Sequence, residues 1–200
     1  MTNHRSTPTV GASAILLASF SALLLIAPSS MGNPQAQDDN HTASETFVDW
    51  QGAKVGLNAL GPIQVGMTVA EAQQASGLTF KREANYDTDE CYYVAPASGP
   101  TDVGLMVTNG VIARFDVWEG SRTTLSGIGI GSTEAQIKQA YGNKVSVERH
   151  HYDENGHYMV YTPTDDADAQ YRMIFETDGK KVIGIRTGKL PEAFYVEGCS

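Results

Sequence analysis

The densest group of side chains able to do chemistry is His150-His-Tyr-Asp-Glu-Asn-Gly-His157. Imidazoles and carboxylates are ligands that zinc and related ions accept, which makes His150 and His157 the metal candidates. The surrounding pattern points the other way. Residues 145–152 and 157–162 read as strands, so Asp-Glu-Asn-Gly is the turn between them. On a strand, His150 and His151 face opposite sides, which is wrong for one shared ion, and no metal or other cofactor is expected. Thr164-Asp-Asp-Ala-Asp168 lacks the turn glycine and the late bidentate glutamate of an EF-hand loop, and reads as a solvated acidic loop.

Catalytic signatures are absent from the sequence: no Gly-x-Ser-x-Gly, no Cys-x-x-Cys, and no nucleophile–base spacing. Gly127-Ile-Gly-Ile-Gly131 lacks the Gly-Lys-Ser/Thr ending of a phosphate loop, and its interleaved isoleucines read as tight packing. The chain is therefore expected to bind rather than to catalyse. The aromatics are the candidates for that role. Tyr92 and Tyr93 are strand neighbours, so one of them must leave the core face, and Trp118, Tyr158 and Tyr161 raise the same question. Tyrosine and tryptophan on a rigid sheet offer contact area and a polar tip at low entropic cost. Packing in the core or between segments is the competing reading for each of them.

The elements that position these residues come from an internal echo. Residues 63–77, beginning Ile-Gln-Val-Gly-Met-Thr, return 65 positions later as residues 128–142, beginning Ile-Gly-Ile-Gly-Ser-Thr. In each, apolar residues alternate before a glycine, as in a short strand. Thr68 with Glu71 and Thr133 with Gln136 then have the spacing of a capping box. Gly77 and Gly142 are the stops, in left-handed backbone, of helices over 69–76 and 134–141. Val69, Ala72 and Ala75 form the expected buried face of the first helix, and Ile137, Ala140 and Tyr141 that of the second. The echo continues: residues 91–96 match 158–163, 67 apart, and 103–107 match 171–175, 68 apart. Asn109-Gly110 and Asp178-Gly179 then predict type I′ hairpins returning through 111–118 and 182–187. The expected fold is α+β: two tandem repeats, each a short helix packed on an antiparallel sheet of about three to four strands.

The ends and the charge set the organisation. His4 and Arg5 precede an uncharged run of 14 small and apolar residues, 14–27, broken by Pro28. That order is a secretory signal over 1–32, cleaved after Ser29 or after Gly32. An uncleaved anchor is the alternative, but Gly11, Ser13, Ser19 and Ser21 dilute the run and no Lys/Arg cluster flanks it. Residues 33–46 are polar and read as a flexible linker, followed by repeat 1 (47–122) and repeat 2 with its tail (123–200). Losing Arg5 with the leader takes the formal charge from −9 to −10, a surface that repels nucleic acid and anionic lipid. In an exported chain, Cys91 and Cys199 most simply form one disulfide, tying the tail of repeat 2 onto repeat 1. An intermolecular bridge or two free thiols are the alternatives.

At Gly66-Met67-Thr68 and its helix stop Gly77 the chain resembles the tandem-repeat secreted bacterial proteins typified by the β-lactamase inhibitory protein, and the SmpA/OmlA (BamE-like) envelope fold. The likeness spans the two helix entries and loosely the strands after them. It implies a helix-on-sheet fold and an envelope or extracellular setting. Here each half supplies a single cysteine, whereas the inhibitor's repeats carry disulfides within each copy. The lipid-bearing cysteine of the BamE-like proteins is missing, and no inhibitory loop residue finds a match. The expected function is that of an exported, periplasmic or extracellular, non-enzymatic protein presenting sheet-face aromatics to a protein or envelope component. A lectin-like glycan-binding module is the alternative, and inhibition of a secreted enzyme a further one.

Overall fold

A computed structural model describes residues 49–84, 88–99 and 101–200, all within the unit Ser44–Ser200. The expected leader and linker lie outside the described residues. In chain order the strands are β1 (Ala59–Leu60), β2 (Ile63–Gln64), β3 (Phe80–Arg82), β4 (Cys91–Pro96), β5 (Val103–Thr108), β6 (Val111–Val117), β7 (Val145–Arg149), β8 (His157–Tyr161), β9 (Tyr171–Thr177) and β10 (Val182–Lys189). Helix α1 (Val69–Ser76) follows β2, and α2 (Glu134–Tyr141) precedes β7.

Both helices begin where the threonines put them. The Glu71 amide donates to Thr68 Oγ1 at 3.2 Å and the Thr68 amide returns to Glu71 Oε2 at 2.8 Å. Thr133 and Gln136 make the same reciprocal pair at 3.2 and 2.7 Å. Each box satisfies two otherwise orphaned amides, worth about 1 kcal/mol. Gly77 ends α1 in left-handed backbone (φ +70°, ψ 7°). Gly142 departs from that expectation: at φ +61°, ψ −136° it leads directly into a 3₁₀ turn, Gly142–Lys144. Ala72 and Ile137 are buried, as the pattern requires, but Ala140 is exposed. The Tyr141 ring makes the contacts at that end of α2, 5.4 Å from the Phe175 ring and with its hydroxyl 2.9 Å from Thr124 Oγ1.

The strands correct the expectation of two small sheets. β1 and β2 pair alone, and the other eight form one antiparallel sheet in the order β3-β4-β5-β6-β10-β9-β8-β7. β6 and β10 would each be an open edge of a four-stranded sheet. They satisfy one another instead, from Ile185 opposite Val117 to Gly188 opposite Arg114. Gly188 makes the approach possible, since a Cβ there would lie 2.3 Å from the Ala113 carbonyl oxygen. The segment 128–130, expected as a strand, contributes only an isolated bridge between Thr123 and Gly129.

Residues directly opposite in a ladder share a face. One row crosses the sheet as Val94, Leu105, Phe115, Thr187, Met173, Tyr161 and Val145, and the next as Val103, Val117, Ile185, Phe175, Met159 and Val147. This is the helix face, whose apolar residues, except the exposed Val147, join Ala72 and Ile137 in the main core. The opposite face carries the C-terminal tail. Leu190, Ala193 and Val196 pack on Tyr158, Val160 and Ile174, and Cys199 is bonded to Cys91 on β4 with a Cα separation of 5.4 Å. The bond closes a loop with a sequence separation of 108, worth roughly 4–5 kcal/mol in the chain-entropy model.

The turns differ in kind. Asn109 and Gly110 both have positive φ, +52° and +83°, as a type I′ hairpin demands. At the second hairpin Gly179 has φ +85°, while Asp178 does not enter the left-handed region. Its carboxylate instead accepts from the amides of Lys180 (2.9 Å) and Lys181 (2.7 Å), and those donors hold its pKa below the ordinary carboxylate value. Among the described residues no helix is long and apolar enough to cross a membrane.

Candidate binding groove

Three charged residues at alternate strand positions begin the site. Arg114 and Asp116 on β6 and Arg186 on β10 point to the tail face, with Arg186 directly opposite Asp116 and Asp116 opposite Gly104 on β5. One residue pair further along, Tyr158 lies opposite Glu176, and Glu176 opposite Gly184. The tail, at residues 196–198, borders this part of the sheet without filling it. A groove of about 340 Å³ results, lined among others by Tyr93, Asp116, Trp118, Glu176, Gly184, Arg186 and Glu197.

Its two guanidinium groups are held very differently. Arg114 is almost fully buried and bonded at all three of its nitrogens. Its Nε donates to Asp116 Oδ2 at 2.9 Å, its Nη1 to the carbonyls of Glu192 and Tyr195 at 2.7 Å each, and its Nη2 to the Tyr93 hydroxyl. Burial works against its charge, but Asp116 and Tyr93 outweigh it and raise the arginine pKa. Burial, reinforced by the Asp116 charge, pushes the Tyr93 phenol far above its usual range, so it stays protonated. Arg114 is thus the pin of the tail. Arg186 is 7% exposed, yet its polar contact to a side chain is Glu176 Oε2 at 3.6 Å, and its Nε has no partner among the described residues. Its guanidinium also lies 5.0 Å from the centre of the Tyr158 ring.

Glu176 is shared. His150 Nδ1 accepts from the amides of Tyr152 and Asp153, both at 3.0 Å, so a neutral ring carries its proton on Nε2, which donates to Glu176 Oε1 at 2.9 Å. β7 ends at Arg149, so strand alternation no longer governs the next two residues. Contrary to the opposite-face expectation, both histidine rings lie against Tyr158, at 4.6 Å (His150) and 5.5 Å (His151). His157 instead bonds Glu134 of α2 at 2.7 Å. Burial of Glu134 disfavours its charge, but bonds from Thr177 and His157 prevail and lower its pKa. The two metal candidates are therefore on separate networks, and no group of three potential metal ligands occurs among the described residues.

The five candidate aromatics divide between the faces. Tyr92 is half-buried on the helix face with the Arg82 guanidinium 4.3 Å above its ring, and the Tyr161 ring lies tilted against Tyr141 at 4.9 Å. Tyr158 is on the tail face but only 4% exposed, beneath the histidines. Tyr93 and Trp118 are brought together in the groove. Trp118 follows the last residue of β6, its Nε1 donates to the Thr101 carbonyl at 2.9 Å, and its ring stands over Gly104, where a Cβ would lie 2.6 Å from it. It remains 42% exposed. Arg114, Asp116, Glu176 and Arg186 escaped the sequence reading. The signal for the first two was there in Arg-Phe-Asp-Val, charge alternating with apolar residues in a strand that is otherwise core.

Fold and site together define an α+β domain with a filled core under one sheet face and a polar, aromatic-rimmed groove on the other. No family model matches the chain, and no curated protein does. Among solved structures, the uncharacterized protein yfeY from Escherichia coli is a distant match, 13% identical with a TM-score of 0.44, over 68% of this chain and 100% of that one.

Proposed function

We propose that this chain is an exported, non-catalytic binding protein that meets a cell-envelope component through the tail-face groove. The observation that carries the reading is Trp118: a large aromatic, anchored by its Nε1 and by Gly104, yet left 42% exposed beside polar side chains. A rigid exposed tryptophan loses little entropy on contact and is a typical energetic anchor. Export is supported by the Cys91–Cys199 bond, since such bonds persist in oxidising compartments. We also infer that residues 47–122 and 123–200 are tandem copies, in keeping with the resemblance to the β-lactamase inhibitory protein and the BamE-like fold. Two capped helices of eight residues, each followed by four strands of the large sheet, support that reading.

The test is binding of solubilised envelope material to the immobilised protein, compared with Trp118→Ala and Tyr161→Phe proteins. A hot-spot residue loses more than roughly 2 kcal/mol on truncation, about 30-fold in affinity. Trp118→Ala is expected to show that loss and Tyr161→Phe none. Equal binding by all three proteins would remove the groove reading.

A further inference from the structure

Resting on the reading of the groove as a binding site, we propose that its ligand is a neutral saccharide unit. The first observation is the unmet hydrogen-bonding capacity around Trp118. Arg186 is more than nine-tenths buried, lines the groove, and has one long pair to Glu176 in place of the several short bonds a guanidinium makes. Such a group calls for a bonding partner. The acceptors are equally underused. Asp116 commits Oδ2 to Arg114 and Tyr93, while among the described residues no hydrogen bond occupies its Oδ1. Glu176 gives Oε1 to His150 and has only the 3.6 Å contact to Arg186 at Oε2.

The groove therefore offers donors and acceptors side by side, next to an exposed indole. A hydroxyl both donates and accepts, and a ring carrying several of them can engage Arg186, Glu176 and Asp116 together. The C–H face of a pyranose ring is weakly positive and apolar, which suits the negative face of an indole. A volume of about 340 Å³ is at the small end of the range for small-molecule sites, enough for one or two sugar units.

Two other ligand classes fit less well. An anion would meet Asp116, Glu176 and Glu197 at close range, on a chain of formal charge −9, with all three Arg114 nitrogens already bonded to groups of the chain. An extended peptide gains its affinity by pairing with a free strand edge. The groove lies over β4, β6, β9 and β10, all interior strands of the sheet, which ends at β3 and β7.

The experiment titrates the full chain with the N-acetylglucosamine tetramer, maltotetraose, tetragalacturonate and a Gly/Ser/Ala peptide, following tryptophan fluorescence and calorimetric heat. Trp50 is buried, so Trp118 reports on the groove, and Trp118→Phe protein supplies the optical blank. A neutral tetrasaccharide is expected to bind, at least tenfold more weakly to Trp118→Ala, and several-fold more weakly to Arg186→Lys and Gly184→Ala. The last is a steric test that folds normally. A Cβ at Gly184 lies 3.6 Å from Glu176 Cβ, an ordinary contact, and adds a methyl to the groove floor. Binding confined to tetragalacturonate or to the peptide, or saccharide binding indifferent to Trp118→Ala, overturns the inference. If no saccharide binds while envelope material still distinguishes Trp118→Ala, the saccharide inference alone fails. If envelope material does not distinguish it either, the groove reading fails with it.

Discussion

The two faces of the large sheet use alternate residues of the same strands and reach opposite solutions. On the helix face Leu105, Phe115, Phe175 and Ile185 interlock with α1, α2 and the loops before them, and all are essentially inaccessible to water. Thr187 is buried there too, and its one hydroxyl proton is shared between the carbonyls of Leu57 (2.6 Å) and Gly56 (3.1 Å), so this polar side chain holds a loop down. On the tail face the corresponding positions are Arg114, Asp116, Glu176 and Arg186, covered in part by an 11-residue tail, 190–200. An apolar face gains stability in proportion to area removed from water, without regard to detail. A polar face gains little net and depends on geometry, because each buried charge must find a partner. Arg114 has found short hydrogen bonds within the chain. Arg186 has, among the described residues, only the long pair to Glu176 and the Tyr158 ring.

That contrast predicts the order of mutational effects. Phe175→Ala leaves a cavity among Tyr141, Met159 and Ile185 and is expected to destabilise by about 4 kcal/mol, the usual range for a buried phenylalanine. The loss is to be global: urea unfolding shifts to lower midpoint with a single transition, and the tail keeps its protection until that transition. A cost below about 2 kcal/mol would mean that the helix face is not the main store of stability.

Arg114→Met probes the other face and is expected to cost about 3 kcal/mol, by leaving Asp116, the Tyr93 hydroxyl and two tail carbonyls without their donor. Here the loss should be local first. Amide hydrogen exchange of residues 192–198 is expected to quicken well before that of β5 and β6, with the disulfide keeping the tail tethered. Uniform loss of protection across the sheet would show that the two faces are one cooperative unit, contrary to the comparison.

What the sequence made legible follows the same division. α1 and α2 were readable to the residue because a capping box and a glycine stop are local, a few positions apart. The alternation of Val103, Leu105 and Val107 marked the helix face because an apolar face is a pattern. The disulfide was readable because only two cysteines exist. The join of β6 to β10 was not, since it depends on two distant strands choosing each other over water. The groove was missed for the same reason: Arg114, Asp116, Glu176 and Arg186 come from three strands that only the assembled sheet brings together. Tyr158 looked like a contact residue on strand alternation alone, and the histidine turn that covers it lies beyond the reach of that pattern.

The smallest expected effect sets one carboxylate on each face against acid. Glu134 sits on the helix-face side with Thr177, His157 and Lys138 around it, and Glu192 on the tail face with Thr108 at 2.7 Å and Lys189 at 3.2 Å. Burial raises the pKa of each, but the donors win and both end below the ordinary glutamate value. A carboxylate whose pKa is lower in the folded than in the unfolded chain contributes stability above its unfolded value, near 4.3, and loses it as pH falls through the folded one. Stability is therefore expected to hold from neutral pH to about 5 and to decline below about 4, by roughly 1 kcal/mol per site as each charged hydrogen bond becomes a neutral one. The Glu134→Gln and Glu192→Gln proteins, melted at pH 6 and pH 3, separate the faces. Each should start less stable and fall less on acidification, and Glu192→Gln alone should also quicken exchange in the tail. If Glu192→Gln left both the acid response and the tail unchanged, then Arg114 and the disulfide would be sufficient to hold the tail, and the tail would owe nothing to the Glu192 carboxylate.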